Sequence, residues 1–190
     1  MRIYFTASLR GKKEFGSNYE EIVKSLVTLG HKVYSEHILK SEFGLVIKQD
    51  KVEAQKSYHQ LIAEIKKAEL FVAEVSTQSM SVGHEITEAM VLNKPVVLLY
   101  TGNTRPNLLF GSAYGKLQLI QYEKLSEFKE ILDKAIEVAK QQSDVRFNFF
   151  VSPKILNYLD WIAQKRMIPR SVFLRNLIER EMKKDKEFKE

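Results

Sequence analysis

Cysteine is absent from the 190 residues, which excludes a disulfide framework, a thiolate nucleophile and a thiolate metal centre. Proline occurs four times and glycine eight, too few for a collagenous or low-complexity chain. No run approaches the roughly 18 apolar residues that a membrane-spanning helix needs. The N-terminal "MRIYFTASLRG" offers a short apolar stretch before Ser8 and Arg10, too short for the apolar centre of a signal peptide. G-x-G-x-x-G, G-x-x-x-x-G-K-[ST] and paired histidines at metal-binding spacing are all missing. A soluble, cytoplasmic protein is expected, with no membrane partner, no metal and no cofactor.

What is present suffices for a core: 44% of the residues are hydrophobic. The length accommodates one ordinary domain, or one domain and a small appendage. The net charge of +6 is unevenly spread, because residues 143–190 carry eleven Lys/Arg against seven Asp/Glu. A basic tail suits a polyanion, and it equally suits a solvated surface.

Apolar runs alternate with amphipathic stretches. Strands are expected at 2–8, 31–36, 70–75, 95–100 and 117–122. Helices are expected at 17–30, with Ser17 and Glu20 in capping-box spacing and Gly30 as the stop, and at 51–67, 83–93 and 124–141. Short continuous apolar strands separated by helices imply a five-stranded parallel sheet covered on both faces, a Rossmann-like α/β fold of the flavodoxin type. Such sheets bind ligands at the carboxyl ends of their strands. That edge collects Ser8 and Arg10, Glu36 and His37, Ser79 to Glu85, and Thr101 to Asn107.

The loop "STQSMSVGHE" (76–85) joins the third strand to a helix whose first turn holds Glu85. A helix N-terminus with Ser79 and Ser81 offers N–H and hydroxyl groups to an anion, and Arg10 offers charge-assisted bonds. Glu85 there is either a functional carboxylate or a complement to the helix dipole, with the serines filling a turn.

The succession "IYFTASLRG", "SEH", "AELFVAEVSTQSMSVGHE" and "NKPVVLLY" resembles the nucleoside 2-deoxyribosyltransferase-like family over residues 2–122. It looks most similar to the branch that cleaves the N-glycosidic bond of 2'-deoxynucleoside 5'-monophosphates. The resemblance implies that Glu85 is a nucleophile attacking the anomeric carbon and that Tyr4 orients it. It implies that Ser8, Arg10, Ser79, Gly83 and Asn107 surround the sugar and 5'-phosphate of a deoxynucleotide. A carboxylate that stabilises an oxocarbenium-like sugar and then traps it fits that chemistry. Two positions depart from the pattern. Leu61 stands where the family has an aspartate that handles the leaving base. Pro106 stands near the serine with which a neighbouring subunit contacts phosphate, leaving Asn107 as the nearest polar group. His84 replaces a residue that is often aromatic in the family.

Residues 143–190 form a second module. "VRFNFFV" alternates as a strand, Ser152 and Pro153 make a helix N-cap and N1 pair, and helices are expected from there to Arg166 and from Pro169 to Lys184. The first helix is expected to bury Ile155, Leu156, Leu159 and Ile162. About 40 residues cannot cover such apolar faces alone. The module resembles the ribbon-helix-helix DNA-binding family across 145–184. That resemblance implies a homodimer or higher even oligomer, with Arg146, Asn148 and Phe150 facing base edges of double-stranded DNA. Arg170 and Ser171 would hold a backbone phosphate. The other interpretation is a dimerisation module without DNA.

Two functional expectations follow. One is a DNA-binding, nucleotide-responsive transcriptional regulator with domains at 1–142 and 143–190. The other is a nucleotide N-glycosidase or deoxyribosyltransferase acting through Glu85, whose tail serves oligomerisation.

Overall fold

The central apolar runs become strands that are closed off from water on both sides. In the computed structural model, which describes residues 1–142 and 149–185, β1 (Arg2–Ala7), β2 (Lys32–Tyr34), β3 (Leu70–Glu74), β4 (Val96–Tyr100) and β5 (Leu117–Gln121) form one sheet. The order is β2-β1-β3-β4-β5 and every pairing is parallel. All residues of β3 and β4 are buried, which is why these central strands read as unbroken apolar runs and not as alternations.

Helices α1 (Lys12–Thr28) and α7 (Phe128–Gln142) cover one face, packing Tyr19, Ile22, Leu26, Phe128, Leu132 and Ile136 against Ile3, Phe5, Val72 and Val97. Helices α4 (Lys51–Lys67) and α5 (Met80–Val91) cover the other, where Ile65, Val82 and Ile86 meet Tyr4, Phe71 and Leu98. Each such side chain, once fully buried, contributes about 1.5–3 kcal/mol. Three single-turn helices, α2 (Glu36–Leu39), α3 (Phe43–Val46) and α6 (Asn107–Phe110), lie in the loops at the carboxyl edge. The strand order reverses between β1 and β3, the place where a sheet of this type opens a crevice.

Helix boundaries differ from expectation at two informative places. The first helix starts at Lys12, not at residue 17, because a 3-10 turn at Leu9–Gly11 feeds directly into it. Ser17 therefore lies inside the helix and caps nothing; its hydroxyl meets the side chain of Asn18 at 3.4 Å. The fifth helix starts at Met80, with the Ser79 hydroxyl as N-cap accepting from the Val82 N–H. Glu85 thus sits in the second turn, beyond reach of the dipole argument. The capping box that does form is Asp50 with Glu53 at the head of α4. Gly30 ends its helix in the left-handed region (φ 85°), as a stop residue should.

The chain divides into two compact units, Met1–Asp144 and Val145–Glu190. In the second, α8 (Pro153–Arg166) and α9 (Arg170–Met182) are joined by a turn through Met167, left-handed at φ 53°. The Ser152 hydroxyl caps α8, with Pro153 in its first turn. The core is small: Leu159, Ile162 and Phe173, with Ile168 and Leu174 against them. Ile155 and Leu156, expected to be buried, are exposed, as are Leu177 and Ile178, because two short helices enclose only one seam between them. Phe149 to Val151 form no strand, since a strand needs a neighbour for its hydrogen bonds. The rest of the expected strand, including Arg146 and Asn148, lies outside the described residues. Phe150 is fully exposed. Arg170 is ion-paired with Asp160, and Ser171 lies exposed in the first turn of α9.

Candidate active site

A cavity of about 690 Å³ opens at the strand-order reversal, lined among others by Ser8, Arg10, Tyr34, His37, Leu61, Ser79 and Glu85. Two loops meet to build it. At Gly11 a Cβ would stand 2.3 Å from Thr77 Oγ1 and 2.7 Å from the Tyr19 hydroxyl, so only glycine lets the β1–α1 turn touch the β3–α5 loop. That contact brings Arg10 and Ser79, distant in sequence, to one rim.

Glu85 lies at the cavity wall, 7% exposed. The Tyr4 hydroxyl donates to its Oε2 at 2.8 Å, and the same hydroxyl lies 3.1 Å from His37 Nε2. Tyr4 spends its only proton on Glu85, so His37 supplies the second bond from Nε2–H, which leaves Nδ1 as a bare acceptor. His37 Nδ1 is buried without a partner among the described residues. Burial pulls His37 down to about 4, so the ring is neutral near pH 7. It stacks on Tyr34 at 5.1 Å, and Tyr4 stacks between Tyr34 and Phe71 at 5.6 and 5.4 Å.

Burial pushes the Glu85 carboxyl above its ordinary range, and the Tyr4 hydrogen bond opposes that rise. The Thr6 hydroxyl acts in the same sense as Tyr4, although it makes no hydrogen bond of proper geometry. Tyr4 itself is held far above the usual phenol range, first by burial and then by the Glu85 charge, so it serves as a donor at any physiological pH. A partly desolvated carboxylate held by one donor has a free oxygen with which to attack or stabilise an electrophile.

Among the expected site residues, Ser8, Arg10, Ser79 and Glu85 line the cavity, with Tyr4 directly behind. Gly83 and Asn107 are not in its lining. Gly83 is two residues from Glu85 on α5, about 200° around the helix, and faces solvent. Asn107 follows β4, one strand away from the reversal, where its Oδ1 accepts from Arg105 Nε at 3.1 Å. Leu61 does line the cavity. His84 stacks on Tyr58 at 5.8 Å outside the lining. The sequence places His37 at this edge but gives no reason to join it to Tyr4; that pairing needs the three-dimensional path of β1 and α2. Arg10 lays its guanidinium 4.8 Å over the Phe43 ring, which makes α3 part of the cavity wall. Among the described residues no group of three or more His, Cys, Asp or Glu is placed to hold a metal ion, and no helix is long and apolar enough to cross a membrane.

A parallel sheet of this order with a crevice at its reversal is a Rossmann-like α/β domain of the flavodoxin type, and it matches the deoxyribosyltransferase-like fold. Two solved structures share that fold: a CMP N-glycosidase of Clostridium botulinum, with TM-score 0.51, 21% identity, and 70% of this chain and 99% of that one covered, and a 2-deoxyribosyltransferase of Bacillus psychrosaccharolyticus, with TM-score 0.50, 18% identity, and 68% and 90% covered. No family model matches the chain. Sequence relatives are more specific. The human 5-hydroxymethyl-dUMP N-hydrolase is 30% identical over 139 residues, covering 71% of this chain and 79% of that protein. A putative 2'-deoxynucleoside 5'-phosphate N-hydrolase of Syntrophotalea carbinolica is 34% identical over 139 residues, covering 70% and 92%. The chain belongs to the 2'-deoxynucleoside 5'-phosphate N-hydrolase family. Of the two functional expectations, these relatives favour the nucleotide N-glycosidase over the DNA-binding regulator.

Proposed function

We propose that the first unit hydrolyses the N-glycosidic bond of a 2'-deoxynucleoside 5'-monophosphate, with Glu85 as nucleophile. The observation that carries this reading is the buried Glu85 carboxylate, held by Tyr4 at 2.8 Å at the wall of a cavity large enough for a nucleotide. Glu85 attacks C1' as the bond to the base breaks, and the bonding electrons leave with the base. The base takes a proton from water, because Leu61 stands where an aspartate would supply it. Water then attacks C1' of the glycosyl ester, the ester electrons return to Glu85, and the water's proton passes to solvent. Arg10, Ser8 and the Ser79 end of α5 hold the 5'-phosphate by charge-assisted and N–H bonds. Tyr4, oriented by His37, aims the carboxylate.

The test is base release from each of the four common 2'-deoxynucleoside 5'-monophosphates and from 5-hydroxymethyl-dUMP, followed chromatographically. Release from at least one of them, lost in Glu85→Gln, is the expected result. Release that survives the substitution would remove Glu85 from the chemistry.

For the second unit we propose a ribbon-helix-helix half that pairs with another copy and contacts double-stranded DNA. The exposed Ile155, Leu156, Leu177 and Ile178 beside so small a core support the pairing, and the basic excess of residues 143–190 supports a polyanion as partner. The full chain should sediment as a dimer, and Ile178→Glu should give monomers. Binding to a duplex library should weaken steeply with salt; salt-insensitive or absent binding would leave pairing alone.

A further inference from the structure

A second buried carboxylate stands at the same edge of the sheet, and the hydrolytic chemistry leaves it unused. Glu74 ends β3 with no exposed surface. Its Oε1 accepts from the Ser76 hydroxyl, from the Ser76 N–H at 3.3 Å and from the Tyr122 hydroxyl at 3.0 Å. Ser76 Oγ in turn accepts from the Thr101 N–H at 2.9 Å, tying the exits of β3 and β4. Tyr122 accepts from Asn18 of α1 at 2.9 Å. Three donors converge on one oxygen, while Oε2 has no partner among the described residues.

This arrangement fixes where the chain goes after β3. Ser76 is folded back onto the carboxylate two residues before it, and the next residue, Thr77, is the one pressed against Gly11. Gln78 and Ser79 then enter the cavity wall, and Ser79 caps α5. We infer that Glu74 is a positioning residue whose carboxylate sets the path of residues 75–79 and thereby the grip on the substrate's 5'-phosphate. The inference rests on the phosphate placement given under Proposed function.

Convergent donors favour the ionised form, whereas burial, the largest influence, favours the protonated one and pushes the carboxyl above its usual range. The groups acting on it are the Ser76 and Tyr122 hydroxyls and the like charge of Glu14, with Tyr19 also near. Protonation falls on Oε2 and leaves Oε1 a neutral carbonyl acceptor, which weakens the three bonds that converge there. The loop is therefore held above the raised pKa and released as pH falls through it.

Two readouts test this: steady-state kinetics on whichever deoxynucleotide releases base, and calorimetric binding of 2'-deoxyribose 5-phosphate against 2'-deoxyribose. Glu74→Gln should raise KM and weaken 2'-deoxyribose 5-phosphate binding by about tenfold, the equivalent of one strong hydrogen bond, with kcat within about twofold. Binding of 2'-deoxyribose should not change. Ser76→Ala should act in the same direction, whereas Tyr122→Phe, which leaves the Ser76 turn intact, should change either value less than about twofold. Wild-type KM should rise more steeply as pH falls than the KM of Glu74→Gln, in which only the substrate phosphate and Glu85 still titrate. The binding arm separates this idea from the hydrolase reading, since it needs no turnover. Equal phosphate discrimination in wild type and Glu74→Gln overturns the inference, as does a wild type that shows none. A Tyr122→Phe loss as large as that of Ser76→Ala would reduce Glu74 to general core support.

Discussion

The Tyr4 hydroxyl and the Glu85 carboxylate meet at 2.8 Å across 81 residues of sequence. The bond joins β1 to α5 over the point where the strand order reverses. It resolves a conflict, because burial disfavours the charge that a nucleophile needs and the tyrosine proton partly restores it.

Glu85→Gln should abolish base release by roughly a thousandfold or more while raising the stability of the first unit at neutral pH. In the unfolded chain Glu85 titrates in the ordinary carboxylate range, and in the folded chain above it. Folding therefore takes up a proton between the two values, and Glu85's contribution to stability falls as pH rises through the folded one. Glutamine has no charge to desolvate. A melting temperature about 3 °C higher at pH 7, converging with wild type in acid, is the expected pattern. A lower value at pH 7 would mean that Glu85 is not a destabilised charge.

Tyr4→Phe removes the main influence that lowers the Glu85 carboxyl. Activity requires the ionised form, so it is lost as pH falls through the Glu85 pKa. That acid limb should shift to higher pH in the variant, and kcat at its new plateau should fall by about tenfold or more. His37→Phe keeps the ring stack yet removes the donor to Tyr4; a milder loss with little shift of the limb is expected. A pH–rate profile of each variant decides the matter.

The strands and the site edge were legible because central strands buried on both faces write continuous apolar runs, and the carboxyl-edge rule then gathers Ser8, Arg10, Glu36, His37, Ser79 to Glu85 and Thr101 to Asn107, a set that only the family resemblance narrows. Glu74 was hidden for the same reason: inside "LFVAEV" it reads as an interruption of a strand, and its partners Ser76 and Tyr122 are two and 48 residues away. Start positions of α1 and α5 were missed because Gly11 and Ser79 look like loop residues until the two loops are seen to touch.

Gly11→Ala places a Cβ against Thr77 Oγ1, Thr77 Cβ and the Tyr19 hydroxyl, all under 3.0 Å. Trimming Thr77 to alanine leaves its Cβ in the way, so the two loops must part. A stability loss of about 1–3 kcal/mol is expected, together with a KM for deoxynucleotide raised more than kcat is lowered, because Arg10 and Ser79 lose their common rim. Thermal melts and steady-state kinetics on the same preparation check both. Unchanged KM would detach the β1–α1 turn from substrate binding.

Leu61→Asp puts a carboxyl into the cavity wall that Glu85 shares. Like charge and partial burial both raise the new group's pKa, so it retains its proton closer to neutral pH than an exposed aspartate would. A protonated carboxyl beside the departing base supplies the acid that water otherwise provides, a contribution of about a hundredfold in favourable geometry. A gain of about tenfold in kcat is expected on bases that leave poorly as anions, with a smaller gain on those that leave well, at a stability cost of about 1–3 kcal/mol for the lost apolar packing. Comparing purine and pyrimidine deoxynucleotides in wild type and variant reads this directly. If both rates stay unchanged while Glu85→Gln remains inactive, departure of the base is not what limits turnover, and the leucine is no handicap.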